Sequence, residues 1–314
     1  MSIFISIASY RDKDCINTVK SLFENAVRPG ELRVGICCQF IPGLEPGLIE
    51  MPERQDQLRQ ISIPAKEGRG PCWARRLIQH LWQDETYYFQ VDSHMRFAAG
   101  WDEKLISLME KCTEPRPVFS TYPLAFTPPD EMGQDALVEI MPRYFDDNGI
   151  LHQHSALKPM PQTPLGPERT YFVSAGMLFT RGEVVREVPY DPFIYFIGEE
   201  MMYALRLWTH GYTIYNPNQV IAYHDYSTRT SRPRHWEDER DWHLMNQGAV
   251  KRIRHILELE TIADKNIPEQ LHQYGLGNIR TMASYEKAAE ISFKKREWRG
   301  KKIIQPQPSS TSGS

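Results

Sequence analysis

Hydrophobic positions early in the chain come in short unbroken runs rather than in alternation. IFISIASY (3–10) is nearly all apolar and rich in β-branched residues, the pattern of a strand buried on both faces. Asp12 then precedes Ile16, Val19, Leu22, Phe23 and Ala26, spaced by threes and fours as on one face of a helix, and Pro29-Gly30 ends that pattern. ELRVGICCQ (31–39) predicts a second strand, the proline-rich stretch from Pro42 to Pro52 a loop, and QISIP (60–64) a short third strand. In GRGPCWARRLIQHLW (68–82), Pro71 suits a first helical turn, and Ala74, Leu77, Ile78 and Leu81 share one face. TYYFQVD (86–92) predicts the next strand and Trp101–Met109 the next helix. Strands alternating with helices indicate an α/β domain with a largely parallel sheet, whose ligands gather at the carboxyl ends of strands.

The pattern then weakens. Residues 113–170 are rich in proline and contain FDDNG and KPMPQTPLGPE, so long ordered loops with a strand or two are expected. YFVSAGMLFT (171–180) predicts a strand with small residues at its centre. PFIYFIGEEMMYALRLWTHGY (192–212) predicts a loop and then a helix with Met201, Leu205 and Trp208 on one face and Gly211 as its stop. TIYNPNQVIAYHDY (213–226) gives two short extended pieces. Past Trp236 the chain turns helical and charged, and the basic run FKKREWRGKK (293–302) fits a solvated helix end. The expected organisation is a catalytic domain over 1–235, a helical extension over 236–304 that packs on it, and a disordered tail over 305–314.

Composition narrows the function. Hydrophobic residues make up 41% and charged residues 25% of 314, ordinary for a globular chain. A net charge of −3 argues against a nucleic-acid partner held by phosphate contacts. The five cysteines are odd in number and form no CxxC pair, so neither a disulfide framework nor a thiolate zinc site is indicated. No apolar stretch has the length of a membrane span, and the first residues lack a secretory pattern, so a soluble cytoplasmic protein is expected.

Candidate chemistry begins where the strand over 86–92 ends on Asp92, with His94 two positions on. Residues i and i+2 of an extended chain point the same way, so this carboxylate and imidazole can aim at one point, as a metal ion requires. Ordinary polar residues at a strand end give the same letters. His224 in YHDY (223–226) offers a third ligand, and equally reads as a hydrogen-bonded structural histidine. Oxygen with imidazole suits Mn²⁺ or a related divalent ion more than zinc. Arg11, Arg69, Arg75 and Arg76 lie near strand ends or a helix start, where guanidinium forks suit phosphate oxygens; singly, each reads as a surface charge. Tyr10 suits stacking on a base or a half-buried core position. Glu199 and Glu200 begin a helix, where the dipole alone favours acidic residues, or reach a sugar hydroxyl or an acceptor.

The order of IASYRD (7–12), GRGPCWAR (68–75), VDSHMRF (91–97), FVSAGMLF (172–179), FIGEE (196–200) and HQYGLGNIRTMASYE (272–286) resembles the hydroxyproline-directed N-acetylglucosaminyltransferases and their bacterial relatives. The D-x-H with a distant histidine is also similar to the polypeptide N-acetylgalactosaminyltransferases. The resemblance spans about residues 3–290 and implies a Rossmann-like GT-A fold, a UDP-GlcNAc donor, Mn²⁺ (or Mg²⁺) dependence and retention of anomeric configuration. Carried over by position, it implies Asp92, His94 and His224 as metal ligands and Ser9, Tyr10 and Arg11 around the uridine. Arg75 and Arg69 then lie near the diphosphate, Asp92 near the ribose, and Ser174, Ala175 and Gly176 near the sugar. Glu199 and Glu200 reach the sugar hydroxyls or the acceptor.

Two rivals share the fold. A nucleotidyltransferase needs a lysine- and glycine-rich triphosphate loop, which IASYRD is not. A catalytically silent sugar- or protein-binding module predicts loss of a metal ligand or of the acidic pair, and the sequence keeps them all. Another UDP-sugar as donor is a further alternative. The acceptor implied is a hydroxyl, on a protein hydroxyproline or on a glycan, including a membrane-linked one reached through the basic 293–302 run.

Overall fold

The alternation of Ile3, Ile5 and Ile7 with Phe4 explains why the first apolar run is unbroken. In the computed structural model, which describes residues 1–163, 165–226, 232–263 and 266–305, the three isoleucines enter one core and Phe4 enters another on the opposite face of the sheet. A strand with a core on each side has no face to give to water.

Eight strands form the central sheet. β1 (Ile3–Tyr10), β2 (Leu32–Phe40), β3 (Leu58–Pro64) and β4 (Tyr87–Asp92) are mutually parallel in the order β3-β2-β1-β4. Helix α1 (Cys15–Asn25) follows β1 and buries Val19, Leu22 and Phe23 in the isoleucine-side core. Helix α2 (Pro71–Gln79) covers the other face with Cys72, Ala74 and Ile78. After β4 come β5 (Met95–Phe97) and α3 (Trp101–Lys111), whose Trp101, Leu105 and Leu108 join the core under α1.

Beyond β4 the sheet is mixed rather than largely parallel. β6 (Pro117–Ser120) and β12 (Met177–Arg181) run antiparallel to each other, and β12 runs antiparallel to β4. β13 (Thr213–Asn216) lies parallel to β6 and carries β11 (Glu168–Thr170) antiparallel at the sheet edge. The reversal at β12 has a positional consequence. Met177 pairs with Val91, so the start of β12 meets the end of β4 and brings Gly176 to Asp92.

A small second sheet, in the order β5-β14-β7-β8, joins β5 to β14 (Ala222–His224), β7 (Leu124–Thr127) and β8 (Glu131–Met132). The proline-rich middle is more regular than expected. β9 (Ala136–Phe145) and β10 (Leu151–Pro159) form a long antiparallel hairpin. Asp146 closes its turn by accepting the Asn148 and Ile150 N–H groups, both at 2.9 Å, and Gly149 supplies φ +80°. The turn end of this hairpin is bonded to the carboxyl-terminal segment: Phe145 N–H donates to Ile303 at 2.7 Å, and Gln305 N–H donates to Phe145 at 3.0 Å.

The expected strand over 171–180 begins only at Met177. Before it, Ser174 and Gly176 turn the chain, held by the Ser120 hydroxyl, which accepts from Ser174 N–H at 2.8 Å and donates to Met177 O at 2.7 Å. Helix α4 (Val184–Glu187) is one turn, and α5 (Glu199–Thr209) packs Met201, Met202 and Leu205 into the core beside α2. Helices α6 (His235–Asp238), α7 (Trp242–Ile256), α8 (Asn266–Tyr274) and α9 (Met282–Ala289) follow. Val250, Ile253, Tyr285 and Phe293 from this region enter the same core as α5.

The basic 293–302 run is not a helix end. With Ile291–Ser292 it makes a three-stranded ribbon of β15 (Ile291–Ser292), β16 (Glu297–Trp298) and β17 (Lys301–Lys302). Its turns use positive φ at Arg296, Arg299 and Gly300, a conformation no helix contains. The expected tail from residue 306 onward lies outside the described residues. No helix of the described residues is long and apolar enough to cross a membrane.

Candidate active site

Asp92 ends β4, His94 lies between β4 and β5, and His224 ends β14 opposite Met95. This pairing brings a distant histidine to the strand end, and one donor atom from each residue lies within 4.8 Å of the others. His224 Nε2 is 3.3 Å from Asp92 Oδ2, near the separation of about 3 Å for two donors at right angles around one ion. The His94 and His224 rings meet edge to face with centroids 4.4 Å apart.

Each imidazole has one nitrogen to spare. His94 Nδ1 lies 2.7 Å from Asp12 Oδ2, which orients the ring and leaves Nε2 to ligate. Ser93 Oγ donates to the same Asp12 oxygen at 2.7 Å. His224 Nδ1 is buried with no hydrogen-bond partner among the described residues, a polar atom that needs a further group nearby. One carboxylate with two imidazoles fits a divalent ion of the Mn²⁺ type. Burial alone would raise the Asp92 carboxyl. The hydrogen bond from His224 and the charges of Arg75 and Arg232 outweigh it and hold Asp92 at about 2.

Arg75 comes from α2, whose start is set by Gly70 and Pro71. Gly70 has φ +91°, and a Cβ there would lie 2.7 Å from the Tyr195 carbonyl oxygen. Arg75 is 4% exposed. Its Nη2 donates to Asp92 Oδ1 at 2.9 Å, and its Nη1 pairs with Glu199 Oε1. One buried cation thus joins the strand end to the start of α5.

Glu200, next in the chain, turns to the other side of that helix start. It accepts from the Tyr122 hydroxyl at 2.6 Å, Gln153 Nε2 at 2.9 Å and Ala175 N–H at 2.9 Å. Burial pushes this carboxyl up to about 7 in spite of those donors, with the Glu199 charge adding to the rise. Gly198, with φ +86°, gives the chain the turn that places both glutamates.

One cavity of about 960 Å³ gathers these groups: Arg75, Asp92, Ser174, Ala175, Gly176, Glu199, Glu200 and His224 all line it. The β9–β10 hairpin contributes Gln153 and Arg143 to its wall. Gly176 admits the close approach, because a Cβ there would lie 2.7 Å from Asp92 Oδ2.

A family model described as "Glycosyltransferase (GlcNAc)" matches residues 2–50 and 49–295, most of the chain. The chain belongs to this GlcNAc glycosyltransferase family. No curated protein matches the chain. Among solved structures, GalNAc-T7 with UDP, GalNAc and Mn²⁺ is similar with a TM-score of 0.55 at 13% identity, over 91% of this chain and 56% of that one. S. aureus TarS 1-349 in complex with UDP-GlcNAc gives a TM-score of 0.49 at 11% identity, over 87% and 71% of the two chains. The chain therefore spans little more than half the length of the first of these, and shares with it the GT-A fold.

Four of the expected donor-site residues do not line the cavity. Ser9 is buried at the end of β1, opposite Cys38. The Tyr10 hydroxyl donates to Asp238 at 2.7 Å, and its ring meets His235 edge-on at 5.4 Å. Arg11, at φ 52°, bridges Glu45 at 2.9 Å and Asp238 at 2.8 Å. Arg69 stands over Trp73 at 6.0 Å and lines a different cavity. Conversely, sequence reasoning misses Asp12 as the partner of His94, and Tyr122 and Gln153 as the partners of Glu200. Asp12 reads there as a helix-start residue, and Gln153 lies in a stretch read as loop. Asn148-Gly149 between two apolar-rich runs is the hairpin signal that places Gln153 on a strand.

Proposed function

We propose that the protein is a retaining, divalent-metal-dependent N-acetylglucosaminyltransferase that moves the sugar of UDP-GlcNAc to a hydroxyl on a glycan or protein. The convergence of Asp92, His94 and His224 beside Arg75, at the rim of a cavity that holds Glu199 and Glu200, carries this reading. The family match supports GlcNAc as the sugar. The UDP and Mn²⁺ named with GalNAc-T7 support a UDP-sugar and a metal of that class.

Asp92, His94 and His224 would hold the ion, and Asp12 fixes the His94 ring. When bound, the ion neutralises the charge that develops on the diphosphate as the anomeric bond breaks. Arg75 stands 2.9 Å from Asp92 and adds positive charge beside the same group. Ser174, Ala175 and Gly176 lie where the sugar ring enters, and the protonated form of Glu200 offers a hydrogen bond to a sugar or acceptor hydroxyl. Retention follows front-face attack. The bond from C1 to the phosphate oxygen breaks, the acceptor oxygen bonds C1 on the same side, and its proton passes to the departing phosphate oxygen. Glu199 is committed to Arg75 and Glu200 to three donors, which disfavours either as a covalent nucleophile.

The test is UDP release from UDP-GlcNAc and UDP-GalNAc, with Mn²⁺ and with a chelator. UDP-GlcNAc turnover should need the metal, and His224→Ala should reduce it at least about a hundredfold. Faster turnover of UDP-GalNAc overturns the donor. Silence toward every UDP-sugar favours a sugar-binding module.

A further inference from the structure

The side of α2 turned away from the glutamates lines a second cavity of about 550 Å³, closed by α7, α8 and the loop before α5. Its volume is in the roughly 300–1,000 Å³ range of small-molecule sites. Aromatic rings and guanidinium groups alternate around it. Arg69 stands over Trp73 at 6.0 Å, Arg76 Nε donates to the Tyr274 hydroxyl at 3.3 Å, and Tyr274 meets the Phe193 ring edge-on at 6.0 Å. Arg252 lies over Phe193 at 5.1 Å.

Among the described residues the charge is not balanced. Neither Arg69 nor Arg76 forms an ion pair with a described residue. Arg252 is 2% exposed; its Nε donates to Asp191 at 2.7 Å and its Nη1 to Gln270 at 2.7 Å. Its Nη2 is buried with no partner among the described residues. Among the described residues, three guanidinium groups thus accompany one paired carboxylate, and a buried donor lacks an acceptor, which costs stability until an acceptor arrives. Phe193 is 45% exposed, a large apolar ring presented at the mouth.

We propose that this cavity binds an anionic saccharide unit: the rings take the apolar face of the sugar, and Arg69, Arg76 and Arg252 take its carboxylate. A free inorganic anion would use the arginines but leave Trp73, Phe193 and Tyr274 unused. A neutral sugar would leave the arginines unused. The site adjoins the loop that ends in Gly198, Glu199 and Glu200: Pro192, Phe193 and Tyr195 face this cavity, and Phe196, Ile197 and Gly198 face the other. As a holding site for part of an acceptor glycan, it rests on the transferase reading; as a binding site, it does not.

The experiment is calorimetric titration of the full chain with tetragalacturonate, a neutral cello-oligosaccharide of equal length, and inorganic phosphate. Tetragalacturonate should bind one to one and weaken with added salt. Arg76→Glu and Trp73→Ala should each reduce its affinity about tenfold or more, and Arg76→Lys by less. His224→Ala should retain this binding while losing UDP release, so the two readings fail separately. Equal binding of the neutral tetramer, phosphate binding as tight as the uronate, or tetragalacturonate binding indifferent to both Arg76→Glu and Trp73→Ala overturns the proposal, as does no binding.

Discussion

Asp12 Oδ2 lies 2.7 Å from His94 Nδ1, so a carboxylate at the turn after β1 sets the direction of an imidazole after β4. Parallel pairing of β1 with β4 brings those two strand ends side by side, Ala8 opposite Asp92. On the proposed ligand set, Asp12→Ala should therefore weaken Mn²⁺ binding about ten- to a hundredfold without removing any of the three ligands. Titration of the metal into the variant checks this. An unchanged affinity would mean that packing alone holds the ring.

Arg75 should be costly to lose. It is buried between Asp92 and Glu199, and its removal leaves Glu199 buried without a counter-charge. Arg75→Ala should destabilise the fold by about 3–5 kcal/mol, and Arg75→Met with Glu199→Gln by clearly less. Urea denaturation of both variants measures the difference.

Glu200 gives a pH dependence of definite sign. An unfolded glutamate titrates near about 4.3, whereas burial brings the folded carboxyl to about 7. Between those values the folded chain binds more protons than the unfolded one, so stability falls as pH rises through this window and levels above it. Glu200→Gln cannot ionise and should flatten the profile. Melting temperature against pH, measured on both proteins, shows the change.

Gly176 is required by space rather than by backbone angle. A Cβ would stand 2.7 Å from Asp92 Oδ2, and either the carboxylate or the strand must move. A displacement of about 1 Å in a reacting site costs on the order of a hundredfold. Gly176→Ala should thus reduce UDP release by about that factor while changing the melting temperature little.

Much of the fold is legible in the chain because β1, β2 and β4 are buried on both faces, and unbroken apolar runs of that kind have few other uses. Asp92 and His94 are legible together because they stand two positions apart at a strand end, although the chain bends at Ser93 and His94 and it is Asp12 that orients the imidazole. His224 as a letter in YHDY has no such constraint; its place depends on three residues of β14 pairing with β5. The strand reversal at β12 leaves no trace in periodicity, since parallel and antiparallel central strands bury the same residues. Proline content obscures β9 and β10, although Pro142 is accommodated where the hairpin register shifts, between His152 and Gln153. The basic run after Phe293 misleads for a related reason: charge alone does not separate a helix end from a ribbon turned by Arg296, Arg299 and Gly300.

The two backbone bonds between Phe145 and the segment from Ile303 to Gln305 act as a latch on the hairpin wall. Trimming the chain ahead of Ile303 would unfasten that wall at its turn end and let Gln153 drift from Glu200. A purification handle replacing residues 303–305 would register as a loss of the proposed sugar transfer, although no reacting group had been touched.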